Sequence, residues 1–238
     1  MIKLLAFDLD GTLTQHKVTI EPENRAVLAA LSSKYRLLMV GAGGCMRIFE
    51  QLERFPIDII GNYGMQYAEY DAAKQALRMM ENHVVPCDRE RVERRVSALR
   101  ERYGFVPYAG ESVQYHDSGC VTFPILGTKA ALSDKLAFDP DRKKRRAIYA
   151  QVCSVFPEYN VFVGGTSSFD MAPKPFDKRY ALCRYCERCG FSPGEVLFFG
   201  DDYGPGGNDA PVYESDFAFL KVDDYKLFPM VVSAAGLL

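Results

Sequence analysis

The sequence predicts an α/β protein with a doubly wound, Rossmann-like parallel sheet as its core and an inserted α+β domain, here called the cap. Strand and helix signals alternate along residues 1–80, give way to charged helices and hairpins, and alternate again from about residue 176. This alternation is typical of parallel sheets, because each helix returns the chain to the same edge. We therefore predict a discontinuous core over residues 1–80 and 172–238, and the cap over residues 81–171.

The first half of the core shows this pattern in order. Leu4–Phe7 is a short apolar run that predicts a buried strand, and Glu21–Glu23 encloses a proline between two acids, as at the start of a helix. Leu37–Val40 predicts a second strand and leads into the glycine-rich segment Gly41–Gly44. A short helix and a third strand over Ile57–Ile60 follow.

Two charged helices and two hairpin-like strand pairs are predicted for the cap, a pattern typical of α+β domains. The basic run Arg142–Arg146 predicts an exposed helix face, with an anion-binding patch as the alternative. The predicted elements are Asp88–Tyr103, Val113–Tyr115, Val121–Phe123, a helix centred on Arg142–Val155, Val161–Val163 and Phe169–Met171.

The second half of the core begins with a predicted helix over Lys178–Cys189, which ends at a glycine and leads to a strand over Val196–Phe199. Cys183 begins a CxxCxxC run in this helix, a spacing that also occurs in metal and iron–sulfur sites. No matching cluster of cysteine or histidine lies nearby in the sequence. We therefore predict buried or half-buried thiols.

Composition and charge exclude several classes of protein. A formal net charge of -2 excludes a nucleic-acid-binding protein that relies on a broad basic face. The apolar N-terminus meets two aspartates by position 10, so it is too short for a signal or membrane segment, and no later stretch reaches spanning length. The odd number of cysteines, 7, fits a reducing compartment. We expect a soluble cytoplasmic protein without nucleic-acid or membrane partners.

The first chemical motif follows directly on the first predicted strand. Asp8 and Asp10 are two residues apart, and Gly11 allows the chain to turn beside them. Ligands of open parallel sheets bind beyond the carboxyl ends of the strands, and paired carboxylates beside a phosphate need a bridging cation, for which Mg²⁺ is suited. One carboxylate is then a nucleophile that forms an aspartyl-phosphate, and the other is an acid/base. The structural alternative is an Asx-turn pair.

Three further motifs follow later core elements. Gly41–Gly44 offers backbone N–H groups at a helix start, where anions bind, although glycine turns are common. Lys178 carries the charge needed to neutralise a phosphoryl group, although a lone lysine is usually a solvated surface residue. Asp201, Asp202 and Asp209 follow a predicted strand and are placed to complete a metal site, the alternative being a turn with a helix cap.

Together these motifs resemble those of the haloacid-dehalogenase-like superfamily, which carries DxDGT, a serine, threonine or glycine strand end, a lysine and a final acidic loop in this order. Within that superfamily the chain resembles the eukaryotic-type phosphomannomutases, whose cap is inserted after the third strand. Four segments carry this likeness: Val40–Leu52, Gly164–Asp170, Phe176–Tyr180 and Phe198–Asp209.

The resemblance implies a role for each residue at the reaction centre. Asp8 is implied as nucleophile and metal ligand, and Asp10 as an acid/base whose backbone carbonyl also binds the metal. Lys178 is implied to bind the phosphoryl group. Asp201 is implied as a metal ligand and Asp209 as a ligand that supports or completes the site, with Mg²⁺ as the cofactor.

The expected substrate contacts come from both domains. Gly41, Gly43 and Gly44 form the expected anion cradle, and the resemblance implies that Ser168 and Asp170 of the cap face sugar hydroxyls. The implied partners are a small phosphorylated metabolite, such as a sugar phosphate, and a second copy of the chain in a homodimer through the cap.

Two departures from the family change the expected activity. Gly43 stands where the family has a serine, so a hydroxyl donor to the phosphoryl oxygens is missing, and such a loss typically costs about 10²–10³ in rate. In the cap, Asp117, Thr128 and Lys135 stand where the mutases have arginines for a distal phosphate. We therefore predict a Mg²⁺-dependent phosphatase or phosphotransferase.

Two alternatives stay open. The first is a true phosphomannomutase that interconverts mannose 6-phosphate and mannose 1-phosphate, which would need other cap arginines, such as Arg142 or Arg145, to reach the substrate. The second is a catalytically weak binding protein for phosphorylated metabolites, which the glycine at position 43 suggests and the intact Asp8 and Lys178 oppose.

Overall fold

The structure of the protein is a computed structural model that describes residues 1–238, and these residues form two compact units. The first, here called the core unit, comprises Met1–His83, Asp177–Gly204 and Asp209–Leu238. The second, here called the cap unit, comprises Val84–Phe176 and the short segment Pro205–Asn208. None of the helices combines the length and apolar composition needed to cross a membrane.

Eleven strands and eight α-helices make up the two units. The strands are β1 (Leu4–Phe7), β2 (Arg36–Val40), β3 (Asp58–Gly61), β4 (Gln66–Asp71), β5 (Ala76–Asn82), β6 (Gln114–Tyr115), β7 (Val121–Pro124), β8 (Tyr159–Phe162), β9 (Ser168–Pro173), β10 (Val196–Gly200) and β11 (Ala218–Lys221). The helices are α1 (Pro22–Ser32), α2 (Cys45–Gln51), α3 (Arg89–Tyr103), α4 (Leu132–Phe138), α5 (Lys143–Val155), α6 (Lys178–Cys189), α7 (Ala210–Tyr213) and α8 (Phe228–Ala234).

The core unit is built on a seven-stranded sheet in the order β11-β10-β1-β2-β3-β4-β5. The strands from β11 to β3 are parallel, and β4 and β5 are antiparallel additions at one edge. The predicted fold class, an α/β core with a mainly parallel sheet and a separate antiparallel sheet, is confirmed. The pair β4–β5 was not predicted, because β5 is largely exposed and lacks an apolar alternation.

Apolar side chains cover both faces of the core sheet. Leu5 and Phe7 of β1 pack into one buried cluster with residues of α1, α2 and α8, whereas Leu4 and Ala6 pack into another with residues of α6. Successive side chains of a strand point to opposite faces, so a strand that is buried on both faces reads as a continuous apolar run. The arrangement places the carboxyl ends of β1, β2 and β10 side by side.

The cap unit has its own sheet and its own hydrophobic cluster. Its four antiparallel strands follow the order β6-β7-β9-β8, and Val96 of α3 packs with Phe123 and Phe169 of the sheet. The Asp88 carboxylate caps α3 by accepting a hydrogen bond from the Arg91 N–H at 3.1 Å. Helix α4 was not predicted, and none of its side chains is buried.

The prediction that Arg142–Arg146 form an exposed helix face is wrong for Arg145. Lys143 and Lys144 of the basic run are exposed, but only 1% of Arg145 is exposed. The Arg145 guanidinium donates to the Asp139 carboxylate at 2.8 Å and to the Gly164 carbonyl at 2.6 Å. A buried guanidinium is stable only with such partners, so Arg145 is an internal anchor rather than part of an exposed face.

The cysteines of α6 behave as the sequence predicts. Cys186 is buried, and Cys183 and Cys189 are half-buried, all three as free thiols. Burial raises the pKa of Cys186 to about 12. The thiol is therefore protonated at neutral pH and is a packing residue rather than a reactive one.

Candidate active site

Asp8 follows β1 at the carboxyl edge of the core sheet. Its N–H donates to the Phe199 carbonyl at 2.9 Å, which continues the ladder between β1 and β10, and only 4% of the residue is exposed. Its Oδ1 lies 2.5 Å from Lys178 Nζ, and the same ammonium lies 2.7 Å from Asp209 Oδ1. The predicted nucleophile therefore belongs to a buried ion cluster.

Lys178 is the first residue of α6, and a helix cap fixes its position. The Asp177 carboxylate accepts a hydrogen bond from the Tyr180 N–H at 2.7 Å, as is typical of an aspartate cap. None of the Lys178 side chain is exposed. A wholly buried ammonium is stable only when it is paired, and here two carboxylates pair with it.

Three carboxylates in this cluster are suited to hold a cation. Asp8, Asp201 and Asp209 each offer an oxygen, and these oxygens lie within 4.8 Å of one another. A Cβ at Gly11, where φ is +100°, would lie 2.5 Å from Asp201 Oδ2, and a Cβ at Gly200 would lie 2.6 Å from Asp209 Oδ2. The glycines thus leave room for the carboxylates, and an all-oxygen set of this kind fits Mg²⁺.

The pKa values follow from the charges that meet here. Burial raises the pKa of Asp8 well above its usual range; Lys178 opposes this rise, and Asp209 and Asp201 add to it. Burial acts to lower the pKa of Lys178, but Asp209 and Asp8 outweigh burial and raise that pKa above the usual lysine range. Lys178 is therefore a fixed cation, and a bound dication would favour the ionised, nucleophilic form of Asp8.

Asp10 has a different set of partners. Its Oδ1 accepts hydrogen bonds from the Lys17 N–H and from Gln51 Nε2, both at 2.8 Å, and its Oδ2 lies 3.1 Å from Arg47 Nη2. Burial acts to raise the pKa of Asp10, but the hydrogen bonds and the Arg47 charge lower it overall. The ionised side chain is thus oriented toward α2 and lies outside the cation-binding set. Metal binding through the Asp10 backbone carbonyl stays a prediction.

Some of the backbone donors at the glycine-rich segment are engaged within the protein. The Gly41 N–H donates to the Ile60 carbonyl at 2.9 Å within the sheet, and the N–H of Cys45, the first residue of α2, donates to Gln66 Oε1 at 3.0 Å. A Cβ at Gly43 would lie 2.1 Å from Arg47 Nη2. The Gly41 N–H is therefore engaged within the sheet, and anion binding by Gly43 and Gly44 stays a prediction.

Comparison with known proteins finds similarity to phosphomannomutases. The family model described as eukaryotic phosphomannomutase matches residues 110–221. The phosphomannomutase of Saccharomyces cerevisiae is 26% identical over 221 residues, which cover 88% of this chain and 84% of the yeast protein. Phosphomannomutase 1 of Homo sapiens is also 26% identical, over 225 residues that cover 88% of this chain and 82% of the human protein.

Solved structures extend the comparison to the fold. An IMP-bound, N-terminally truncated IMP-nucleotidase of Plasmodium falciparum superposes with a TM-score of 0.77 at 13% identity, covering 100% of this chain and 68% of that chain. A phosphatase of the haloalkanoate (HAD) superfamily from Bacteroides thetaiotaomicron superposes with a TM-score of 0.63 at 14% identity. The superposition covers 100% of this chain and 96% of that chain. The chain has the fold of the HAD superfamily. The resemblance to phosphomannomutases is confirmed over most of its length, and the likenesses support a phosphoryl-transfer enzyme of this superfamily.

Two predicted substrate residues lie in the cap unit. Ser168 Oγ donates to the Gly164 carbonyl at 3.1 Å, and Asp170 Oδ1 accepts a hydrogen bond from Thr122 Oγ1 at 2.9 Å. A Cβ at Gly164 would lie 1.9 Å from Asp170 Oδ2, so glycine is required there. Both residues are fixed within the cap sheet, and their contact with substrate stays a prediction.

Three residues of this site were not predicted from the sequence. Arg47 and Gln51 contact Asp10, and Thr12 Oγ1 donates to Asp201 Oδ1 at 3.3 Å. The spacing of Arg47 and Gln51, four residues apart on α2, is the signal that could have indicated a shared face. Thr12 belongs to the DxDGT motif itself.

Proposed function

We propose that this protein is a Mg²⁺-dependent phosphatase or phosphotransferase that acts through an aspartyl-phosphate on Asp8, with a small phosphorylated metabolite such as a sugar phosphate as substrate. The observation that carries the proposal is the buried contact of Lys178 Nζ with Asp8 and Asp209, beside the carboxylate of Asp201. An aspartate nucleophile, a fixed cation and an oxygen-ligand set for a dication are the groups that this chemistry requires. The similarity to phosphomannomutases supports a sugar phosphate.

In the proposed reaction, one oxygen of Asp8 attacks phosphorus while the bond from phosphorus to the leaving oxygen breaks. A negatively charged phosphoryl group beside Asp10 would raise the pKa of its carboxyl group, and the protonated form gives a proton to the leaving oxygen. The ionised form later takes a proton from the water or hydroxyl that attacks phosphorus, and the bond from phosphorus to Asp8 then breaks. Lys178 balances negative charge throughout. Mg²⁺ bound by the carboxylates would neutralise part of the charge on the phosphoryl oxygens.

The internal contacts of several cap residues support hydrolysis over isomerisation. A mutase must bind a phosphate remote from the nucleophile, for which arginine forks are best suited. Arg145 and Arg100 are 1% and 3% exposed, and their guanidinium groups donate to backbone carbonyls within the cap unit. Thr128 Oγ1 accepts a hydrogen bond from the Glu111 N–H at 2.9 Å, and Lys135 Nζ donates to the Thr128 carbonyl at 3.1 Å. These groups are engaged internally.

A phosphomannomutase is the second candidate function. The observation that favours it is the similarity to curated phosphomannomutases over 88% of this chain, in contrast to the 13–14% identity with the solved nucleotidase and phosphatase. We expect hydrolysis to exceed conversion of mannose 6-phosphate into mannose 1-phosphate, even with a hexose bisphosphate activator. The test is a panel of sugar phosphates and nucleoside monophosphates, including IMP, with and without Mg²⁺, together with a coupled mutase assay. Robust isomerisation by the unaltered protein would establish the mutase instead.

A second prediction concerns Asp10. Attack by Asp8 on a substrate with a good leaving group needs little acid catalysis, whereas removal of the phosphoryl group needs a base. The Asp10→Asn variant is therefore expected to accumulate phosphoenzyme from an aryl phosphate, with a burst close to one equivalent and steady-state turnover lowered on the order of 10²–10⁴-fold. Rapid-quench measurement of the burst tests this. Unchanged turnover with no burst would assign the acid/base role to another residue.

A further inference from the structure

Gly43, which has no side chain, lies next to the guanidinium of Arg47. We propose, on the basis of the function proposed above, that Arg47 replaces the missing motif hydroxyl and donates hydrogen bonds to the phosphoryl oxygens of the substrate. Its guanidinium is thereby a catalytic residue of this site.

The first observation is that the two groups exclude each other. A Cβ at Gly43 would lie 2.1 Å from Nη2, 2.3 Å from Nε and 2.5 Å from Cζ of Arg47. Any side chain at position 43 would therefore have to displace the guanidinium. The guanidinium thus occupies the space beside Gly43.

The second observation is the position of the guanidinium relative to the nucleophile. Phe7 pairs with Met39 in the sheet, so Asp8 and the segment Gly41–Gly44 continue from neighbouring parallel strands at the same edge. Arg47 Nη2 lies 3.1 Å from Asp10 Oδ2, two residues along the chain from Asp8. A donor at this point is close to the leaving oxygen, which is proposed to receive a proton from Asp10. It is also close to the attacking oxygen, which is proposed to give a proton to Asp10.

The third observation is that Arg47 is held in place and retains donor capacity. Its Nη1 donates to Gln51 Oε1 at 2.8 Å, and Gln51 Nε2 donates in turn to Asp10 Oδ1 and to Thr14 Oγ1, both at 2.8 Å. A guanidinium has five N–H donors in a planar fork that suits phosphate oxygens. The side chain is 40% exposed, so it is accessible to a ligand.

Two of the backbone donors near Arg47 are already engaged. The Gly41 and Cys45 N–H groups are engaged with the Ile60 carbonyl and the Gln66 side chain. An arginine donor is charged, and a hydrogen bond from a charged group contributes more than one from a neutral hydroxyl. Arg47 therefore compensates for the serine that the family has at position 43.

The test compares Arg47→Ala, Gly43→Ser and the double variant Gly43→Ser/Arg47→Ala with the unaltered protein. Arg54→Ala is the matched control, because Arg54 follows the same helix and pairs with the exposed Glu50 at 2.7 Å. The readouts are kcat and KM for an aryl phosphate and the inhibition constant of orthovanadate, which mimics the transferring phosphoryl group.

We expect Arg47→Ala to lower kcat/KM on the order of 10²–10³-fold and to weaken vanadate inhibition by about 10- to 100-fold. Gly43→Ser alone is expected to lose activity because the serine and the guanidinium then compete for the same space and neither donor is well placed. The double variant is expected to recover at least about tenfold over Arg47→Ala, because the serine then has room to supply the donor. Arg54→Ala is expected to match the unaltered protein.

The outcomes separate this inference from the proposed function. The role of Arg47 alone would be overturned by an unchanged vanadate inhibition constant in Arg47→Ala and no recovery in the double variant. This conclusion requires that the unaltered protein turns over substrate and is inhibited by vanadate. A fall in kcat with unchanged vanadate inhibition would likewise overturn it and leave Arg47 as a positioning residue for Asp10. Absence of Mg²⁺-dependent turnover and of vanadate binding in the unaltered protein would overturn both.

Discussion

Replacing Asp8 with asparagine is expected to abolish turnover and leave the fold intact. The neutral amide is a far poorer nucleophile and removes one anionic ligand from the oxygen set of Asp8, Asp201 and Asp209. Loss of a nucleophile typically lowers kcat by on the order of 10⁴ or more. The fold is retained because Lys178 keeps its contact with Asp209 at 2.7 Å, and the substitution removes one of three clustered negative charges.

The measurement is turnover of an aryl phosphate and of the best substrate of the panel, with circular dichroism and thermal unfolding as checks on the fold. Asp216→Asn is the matched control, since Asp216 is an exposed aspartate of the same unit. A folded Asp8→Asn protein that keeps more than about a tenth of the activity would contradict the aspartyl-phosphate mechanism.

Replacing Lys178 with methionine is expected to destabilise the core unit as well as abolish activity. Methionine is similar in length, but it leaves the buried carboxylates of Asp8 and Asp209 without a cation. Removal of one partner from a buried ion pair costs about 3–5 kcal/mol in the free energy of unfolding. Urea unfolding measures this cost. Lys3→Met is the control, because the Lys3–Glu195 pair is on the surface and such a pair contributes about 0–1 kcal/mol.

The destabilisation is expected to depend on pH and on Mg²⁺. The pKa of Asp8 is already raised by burial, and without Lys178 the opposing effect is lost, so the folded variant binds a proton more readily than the unfolded chain. A group with a raised folded pKa favours folding at low pH, and that contribution is lost as the pH rises through the folded pKa. The deficit of Lys178→Met is therefore expected to be larger at about pH 8 than at about pH 5. Added Mg²⁺ should reduce it by binding the carboxylates. A deficit that is the same under all these conditions would contradict the assigned charges.

The sequence predicted the elements whose pattern is set by burial. The strand β1 is apolar because both of its faces are covered, and α6 begins at Lys178 and ends at Cys189 as predicted, since an aspartate cap precedes it and a glycine follows it. The pair β4–β5 was missed because its edge strand faces solvent and carries no apolar alternation. Helix α4 was missed because it buries no side chain.

The sequence predicted the site residues that directly follow a strand. It did not predict the positions of residues that depend on contacts with distant parts of the chain. Asp8, Asp201 and Asp209 meet because they follow β1 and β10, which are neighbours in the sheet. Arg47 and Arg145 depend on tertiary contacts: one occupies the space beside a glycine, and the other is buried against Asp139. A charged side chain in a basic helix gives no local signal of burial, because its partners come from other parts of the chain.

The most direct test of the central claim is to locate the phosphoryl group after a single turnover. The protein, or its Asp10→Asn variant, is mixed with an aryl phosphate and Mg²⁺, quenched in acid, digested and mapped by mass spectrometry. We predict one acid-stable, hydroxylamine-sensitive phosphoryl group on the peptide that contains Asp8 and none in Asp8→Asn. Turnover with no covalent phosphoryl group in either protein, or with the group on a different residue, would contradict it.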